Sequence, residues 1–493
     1  MTDRTRQARQ ARQAQPTQQA RQAQPTRQAQ QAEPTRQAGH PFLAGAYTPV
    51  REEVTEFDLP VTGSLPKELN GRYLRVGPNA LGVEDPKAHH WMLGEGMVHG
   101  VRLRDGRAEW YRNRWVRSRS VARKLGEPYP WTAPDGDFAP NTHVIGYKGR
   151  ILALQEAGPQ PYELDGELNT LGPCDFEGTL DGSFMSHTKF DAAADELHAV
   201  TYHPTWDHVR HLVLDETGTV TRTTRIPVSD SPMVHDFALT ERYVVILDIP
   251  VTFDRAAAAA GAPVPYEWND RHPARVGVLP RAGGPIRWFE TDNVYYSHTL
   301  NAYDDGDGVV IDVTTFPAPF FVNGRNSGGP AATGTPTLDR WTIDLAAGRV
   351  RSRRLDDRPQ EFPRVNETLV SRRHRYGYLA STADLYEGYA YVDGLPGPTR
   401  YDNALIKHDL DTGDTQVHRL PAHATAGEAV FVPREGATAE DDGYTMAYVH
   451  NPDRGATDLV ILAAQDFTGT PLARVHLPGR VPMGLHGSWV ADA

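Results

Sequence analysis

A strand–turn–strand unit recurs along this chain, each time with a polar residue ahead of its first strand. It begins at Asn141 ("NTHVIGYKGRILALQEAG"), Ser186 ("SHTKFDAAADELHAVTYHP"), Val234 ("VHDFALTERYVVILDIP") and Ser297 ("SHTLNAYDDGDGVVIDV"). It returns at Asn366 ("NETLVSRRHRYGYLAST") and Gly427 ("GEAVFVPREGATAEDDGYTMAYVH"). The segment "GLHGSWV", near the C-terminus, supplies a seventh opening strand without its return. Each unit runs from a short apolar strand through a turn rich in Gly, Asp, Asn or Arg to a second apolar strand. No long helical periodicity lies between them; "FDRAAAAAGAP" (253–263) reads as one or two helical turns in an inserted loop. Seven units in about 450 residues leave roughly 65 for each, and hairpins repeating without helices predict an all-β, seven-bladed β-propeller. A single domain over 41–493 follows, with loops and short helices capping its axis.

The first strand of a propeller blade lines the central channel, so the openings converge on the axis. They carry Thr142 and His143, then His187, His235, His298, Glu367, Glu428 and His486. A lone strand histidine is ordinarily a hydrogen-bonded structural residue. Histidines at equivalent points of a repeat become neighbours, and His187, His235, His298 and His486 together form a metal-binding set. Imidazole suits Zn, Cu, Fe and Ni alike. Structural zinc favours a closed tetrahedral site, usually with Cys. An all-histidine set with vacant positions instead suits iron that binds dioxygen, or a metal that binds water. Carboxylates that accept the other ring N–H would orient such ligands. Glu367 and Glu428 are in phase for this, and Glu156 closes the strand "ILALQEAG". The ordinary alternative for all three is a solvated surface carboxylate.

Residues 1–40 are a different material. "RQARQAQPTQQARQAQPTRQAQQAEPTRQAG" repeats Arg-Gln-Ala and Gln-Pro-Thr and offers no large apolar side chain after Met1. It cannot bury enough surface to offset its ordering entropy, so the reading is a disordered leader. It holds seven Arg against Asp3 and Glu33, a local +5, which leaves near −17 of the formal −12 on the remainder. So acidic a body repels phosphate backbones and argues against a nucleic-acid partner. Cys174 is the only cysteine, which excludes an internal disulfide and fits a reducing, cytoplasmic compartment. No apolar run approaches the roughly 20 residues of a spanning helix. Peripheral membrane contact is left open, with 131–140 and 260–268 as segments that could form an apolar mouth.

At these positions the chain resembles the carotenoid cleavage oxygenase family. The likeness spans about 41 to 490. "LPKELNGRYLRVGPNA" (65–80) and "HHWMLGEGMVHGVRL" (89–103) are similar to the family's two opening signatures. "FMSHTKFD", "PMVHDFALT", "YYSHTLNAYD" and "GLHGSWV" are similar to its four ligand contexts. Two signatures depart from pattern: "RVGPNA" stands where R-N-G-P-N-P is usual, and "LGEG" (93–96) where D-G-D-G is usual. The resemblance implies Fe(II) held by His187, His235, His298 and His486, with Glu156, Glu367 and Glu428 hydrogen-bonded to three of them. It places Thr142 near the open coordination position. The implied reaction is cleavage of a conjugated C=C bond by O2 into two carbonyl products, on an apolar carotenoid or apocarotenoid. A stilbene substrate is the alternative, with Tyr111 as a grip on its phenol. The residues are also compatible with a non-oxygenating isomerase, a metallohydrolase or a non-catalytic scaffold. Phe316, Phe320, Phe321 and Trp288 are candidate tunnel residues.

Overall fold

Tight turns set the strand pairings. Asp105 and Gly106 (φ 49° and 72°) join Glu95–Arg104 to Arg107–Trp115. Lys148 and Gly149 (φ 48° and 74°) join His143–Tyr147 to Arg150–Leu154. Two consecutive positive φ values give the turn whose twist matches that of the flanking strands. The structure, a computed structural model, describes residues 41–83, 89, 91–132, 139–158, 160–262, 264–316, 336–382, 404–422 and 424–492.

Among the described residues, seven antiparallel sheets of four to six strands form the seven blades of a β-propeller, and a two-stranded ribbon, Val251–Phe253 with Tyr266–Trp268, stands apart from them. Blade 2 runs outward from His143–Tyr147, blade 3 from Thr188–Asp191, and blade 4 from Phe237–Leu239. Blade 5 starts at Tyr295–Asp305 and blade 6 at Gln360–Arg364. Blade 7 starts at Thr425–Ala426 and Val430–Pro433. Blade 1 is built from both ends of the chain. Its inner strand is Gly487–Ala491, paired along Gly71–Arg75 of the strand Gly71–Asn79. Val61–Gly63 in turn adds the outer strand of blade 7 by pairing with Ala473–His476. "GLHGSWV" therefore does have its return strand, some 400 residues earlier. Gly487 is required there because a Cβ would lie 2.2 Å from the Leu74 carbonyl oxygen.

Apolar side chains fill the spaces between blades. One buried cluster runs from Ile145 through Leu247 and Val276 to Trp341, and a second joins blades 7 and 1 through Tyr73, Tyr111, Met446 and Val475. The inserted "FDRAAAAAGAP" contains one short helix, Arg255–Ala259, capped by the Asp254 side chain on the amides of Ala256 and Ala257. Among the described residues no helix is long and apolar enough to cross a membrane.

Candidate metal centre

The blade openings do converge. The His187 ring lies 4.4, 4.9 and 4.8 Å, centroid to centroid, from those of His235, His298 and His486. His298 is 5.0 Å from His235 and 4.7 Å from His486. Four imidazoles from blades 3, 4, 5 and 1 thus share one point on the axis. His187, His298 and His486 are buried and present ligand atoms within 4.8 Å of one another.

Three carboxylates hold three of these rings from behind. His235 Nδ1 is 3.0 Å from Glu156 Oε1, and His486 Nδ1 is 2.8 Å from Glu428 Oε1. The partner of His298 is Glu361, with Nδ1 2.7 Å from Oε2. The expectation of Glu367 in this role is corrected: its half-exposed carboxylate instead pairs with Arg364. The inner strand of blade 6 is Gln360–Arg364, six residues earlier than the repeat suggested, and Glu367 lies beyond it in a 3-10 turn, Glu367–Leu369. Register shifts explain the slip. The pairing of blade 6 is irregular between Glu361 and Arg364, and that of blade 5 between Tyr296 and Asn301, around His298. Bulges of this kind re-aim side chains out of strict alternation. A sequence period cannot register them.

Each carboxylate is fixed in turn. Glu156 accepts from Tyr202 Oη (2.6 Å) and Ser186 Oγ (3.0 Å). Glu361 accepts from Thr314 Oγ1 (2.6 Å) and from the Phe362 amide. Glu428 accepts from the Gly487 amide and from Arg364 Nη1, both at 2.9 Å. Burial would raise the Glu428 carboxyl, but Arg364 and His486 outweigh it and hold the group well below the usual carboxylate range. Burial opposes ionisation of Glu361 too, and His298 and Thr314 outweigh it. Burial, then the other three rings, keeps His187 well below its ordinary value. Burial would lower His235, but Glu156 beside it raises it overall.

The donor set fits a cation. An imidazole that donates Nδ1–H to a carboxylate carries its lone pair on Nε2. His235 Nε2 and His298 Nε2 are 3.2 Å apart, so in neutral rings whose Nδ1 protons are given to carboxylates two lone pairs would face each other. His187 Nε2 is buried with no hydrogen-bond partner. A positive ion among these nitrogens satisfies all of them at once.

Other expected residues have been placed. Thr142 is buried beside the centre: its carbonyl accepts from the His486 amide (3.0 Å), and its hydroxyl donates to Asn141 (3.1 Å). His143 stands 5.4 Å from the His486 ring but is engaged elsewhere, with Nδ1 3.1 Å from the Ser186 carbonyl oxygen. Burial, reinforced by His486 and Arg364, pushes it down to about 3. Tyr111 is not at the site; it is buried in blade 1 with its hydroxyl 2.9 Å from His99 Nδ1. Phe316 packs on Tyr295 in the core, and Trp288, on the outermost strand of blade 4, lies over Arg275. Phe320, Phe321 and residues 133–138 of the first mouth segment lie outside the described residues. In the second, Tyr266 packs against Phe253 and Tyr202, the latter being the donor to Glu156. A cavity of about 410 Å³ is lined by His187, His298 and His486 and also by Lys189, Asn301 and Trp489.

The retinal pigment epithelial membrane protein (RPE65) family model matches residues 47–491. A carotenoid cleavage oxygenase from Mycobacterium tuberculosis is 43% identical over 91% of this chain and 97% of its own length. The crystal structure of a lignostilbene dioxygenase from Pseudomonas brassicacearum superposes with a TM-score of 0.81 at 29% identity, over 92% of this chain and 98% of that one. A cobalt-substituted apocarotenoid oxygenase from Synechocystis gives 0.79 at 27% identity, over 92% and 98%. With a four-histidine centre on a propeller axis and likeness of this extent, the chain is an oxygenase that belongs to the carotenoid cleavage oxygenase family.

Proposed function

We propose that the four histidines bind Fe(II) and that the enzyme cleaves a conjugated C=C bond of a carotenoid or apocarotenoid with O2, giving two aldehyde or ketone products. The observation that carries this reading is the donor set: four imidazole rings gathered on the axis, with Glu156, the carboxylate that lies within reach of His187 and His235, committed to His235 Nδ1, Tyr202 and Ser186. Four ligands leave positions vacant on an ion that favours six. Bound there, Fe(II) would supply the one-electron chemistry by which dioxygen reacts with an alkene. The protein's part is positioning. Glu156, Glu361 and Glu428 keep each Nδ1 proton in place and each Nε2 free to ligate. Phe362, whose ring is 6.0 Å from that of His298 and 5.7 Å from that of His486, excludes water on that side. No side chain need act as a nucleophile. Thr142, bonded through its carbonyl to the His486 backbone, fixes the strand that carries this ligand.

Tyr111, whose phenol is committed to His99 inside blade 1, is not placed to grip the phenol of a stilbene. Fe(II)-loaded protein should be incubated under labelled dioxygen with a panel of carotenoids, apocarotenals and hydroxystilbenes. A shortened aldehyde carrying label from an apocarotenal is the expected product, abolished by chelation and restored by Fe(II). Rearranged product without dioxygen uptake would mean an isomerase, and turnover of stilbenes alone would overturn the substrate class.

A further inference from the structure

Arg364 connects three consecutive blades at the metal centre. It ends the inner strand of blade 6 and is only 12% exposed. Its Nη1 donates to Glu428 Oε2 in blade 7 and to the Gly487 carbonyl in blade 1, both at 2.9 Å. Its Nη2 reaches Glu367. Glu428 receives the His486 Nδ1 proton through its other oxygen. The three carboxylates are therefore unequal. Glu156 and Glu361 accept from hydroxyl groups and a backbone amide, which are neutral donors. Glu428 faces a guanidinium.

We propose that Arg364 is a positioning residue that fixes Glu428, and through it the His486 ring, at the metal centre, with Glu367 holding the far edge of the guanidinium. This rests on the metal-centre reading above. A carboxylate clamped by a guanidinium keeps its other oxygen fixed on the Nδ1 proton, so the ring behind that proton is held in one orientation. The same guanidinium ties down Gly487, the residue after the ligand, on the strand that closes the propeller. Glu367 thus serves the centre at one remove, through Arg364 and Glu428.

The test uses Co(II) as the probe, added anaerobically to the metal-free full-length chain, with the visible spectrum and the rate of loss to a chelator as readouts. Arg364→Met should shift the Co(II) bands and release the ion about ten-fold faster. Arg364→Lys keeps the positive charge and should keep the bands at their wild-type positions. A purely structural role would move the bands equally in both variants, and that result overturns the proposal. So do wild-type bands and release from folded Arg364→Met. If that variant does not fold, Glu367→Gln decides: release about two-fold faster is expected for loss of a half-exposed partner, and the wild-type rate overturns the proposal. Failure of the unaltered chain to take up Co(II) would sink the metal centre itself, a separate result.

Discussion

Glu361→Gln tests the corrected assignment most directly. Glu361 is fully buried and accepts three hydrogen bonds. Its Oε2 serves both His298 Nδ1 and the Phe362 amide, while Oε1 serves only the Thr314 hydroxyl. A glutamine can place its oxygen at the first position and its NH2 at the second. The Thr314 hydroxyl can then accept, turning its own proton to the His298 carbonyl 3.1 Å away. No buried donor is stranded, so the fold should survive. What is lost is the charge on the acceptor facing His298. Replacing a charged acceptor by a neutral one costs about 1 to 1.5 kcal/mol, which is roughly ten-fold in metal affinity. Alanine would in addition strand the Phe362 amide at about 1 to 3 kcal/mol and should lower stability as well. Metal affinity measured by competition with a chelator, beside a urea titration for stability, separates the two effects. If Glu361→Gln binds metal as wild type does while Glu367→Gln loses ten-fold, then Glu367 orients His298 after all and the reasoning fails.

Two further outcomes follow from the fold. His408 is buried, with Nε2 2.6 Å from Gln360 Oε1, and burial pushes it down to about 4. Its folded value lies below the roughly 6.5 of an unfolded chain, so the native state binds fewer protons between those values. Its stabilisation is complete above pH 6.5 and falls as the pH drops toward 4, by about 2 kcal/mol between pH 7 and 5. His408→Gln should remove that part of the slope in urea titrations at the two pH values, and an unchanged slope would contradict it. Deleting 487–493 removes the inner strand of blade 1, a five-residue pairing with Gly71–Arg75. At about 1 kcal/mol per ladder bond, the loss approaches 5 kcal/mol, a large share of a typical domain's stability. A truncated chain with the wild-type urea midpoint would show that the closure contributes little.

The propeller and its four axial histidines could be read from the sequence because radial repetition turns a phase in sequence into a position in space. "FMSHTKFD" and "PMVHDFALT" place His187 and His235 just before strands that pair without a register shift, Thr188–Asp191 and Phe237–Leu239. Phase and position agree there. The reading failed where the backbone leaves regular alternation. Glu361 sits on a bulge whose next residue, Phe362, has φ 56°. Flanked by Pro359 and Pro363, with Arg364 close behind, that stretch resembles a loop more than the lining of a channel. Asn366 opens a stretch that resembles the units at Asn141 and Ser186 but caps a 3-10 turn through its side chain on the Thr368 amide. Ring closure was hidden for a different reason. Gly71–Asn79 and Gly487–Ala491 are antiparallel neighbours in blade 1, yet no local pattern links strands at opposite ends of a chain. Bulges and closure meet at the centre. His298 and Glu361 reach each other because both strands break register, and His486 arrives on the strand that closes the ring. Regular repetition brings the rings near the axis; the irregular residues decide which carboxylate stands behind each one, and a strict period carries no record of those.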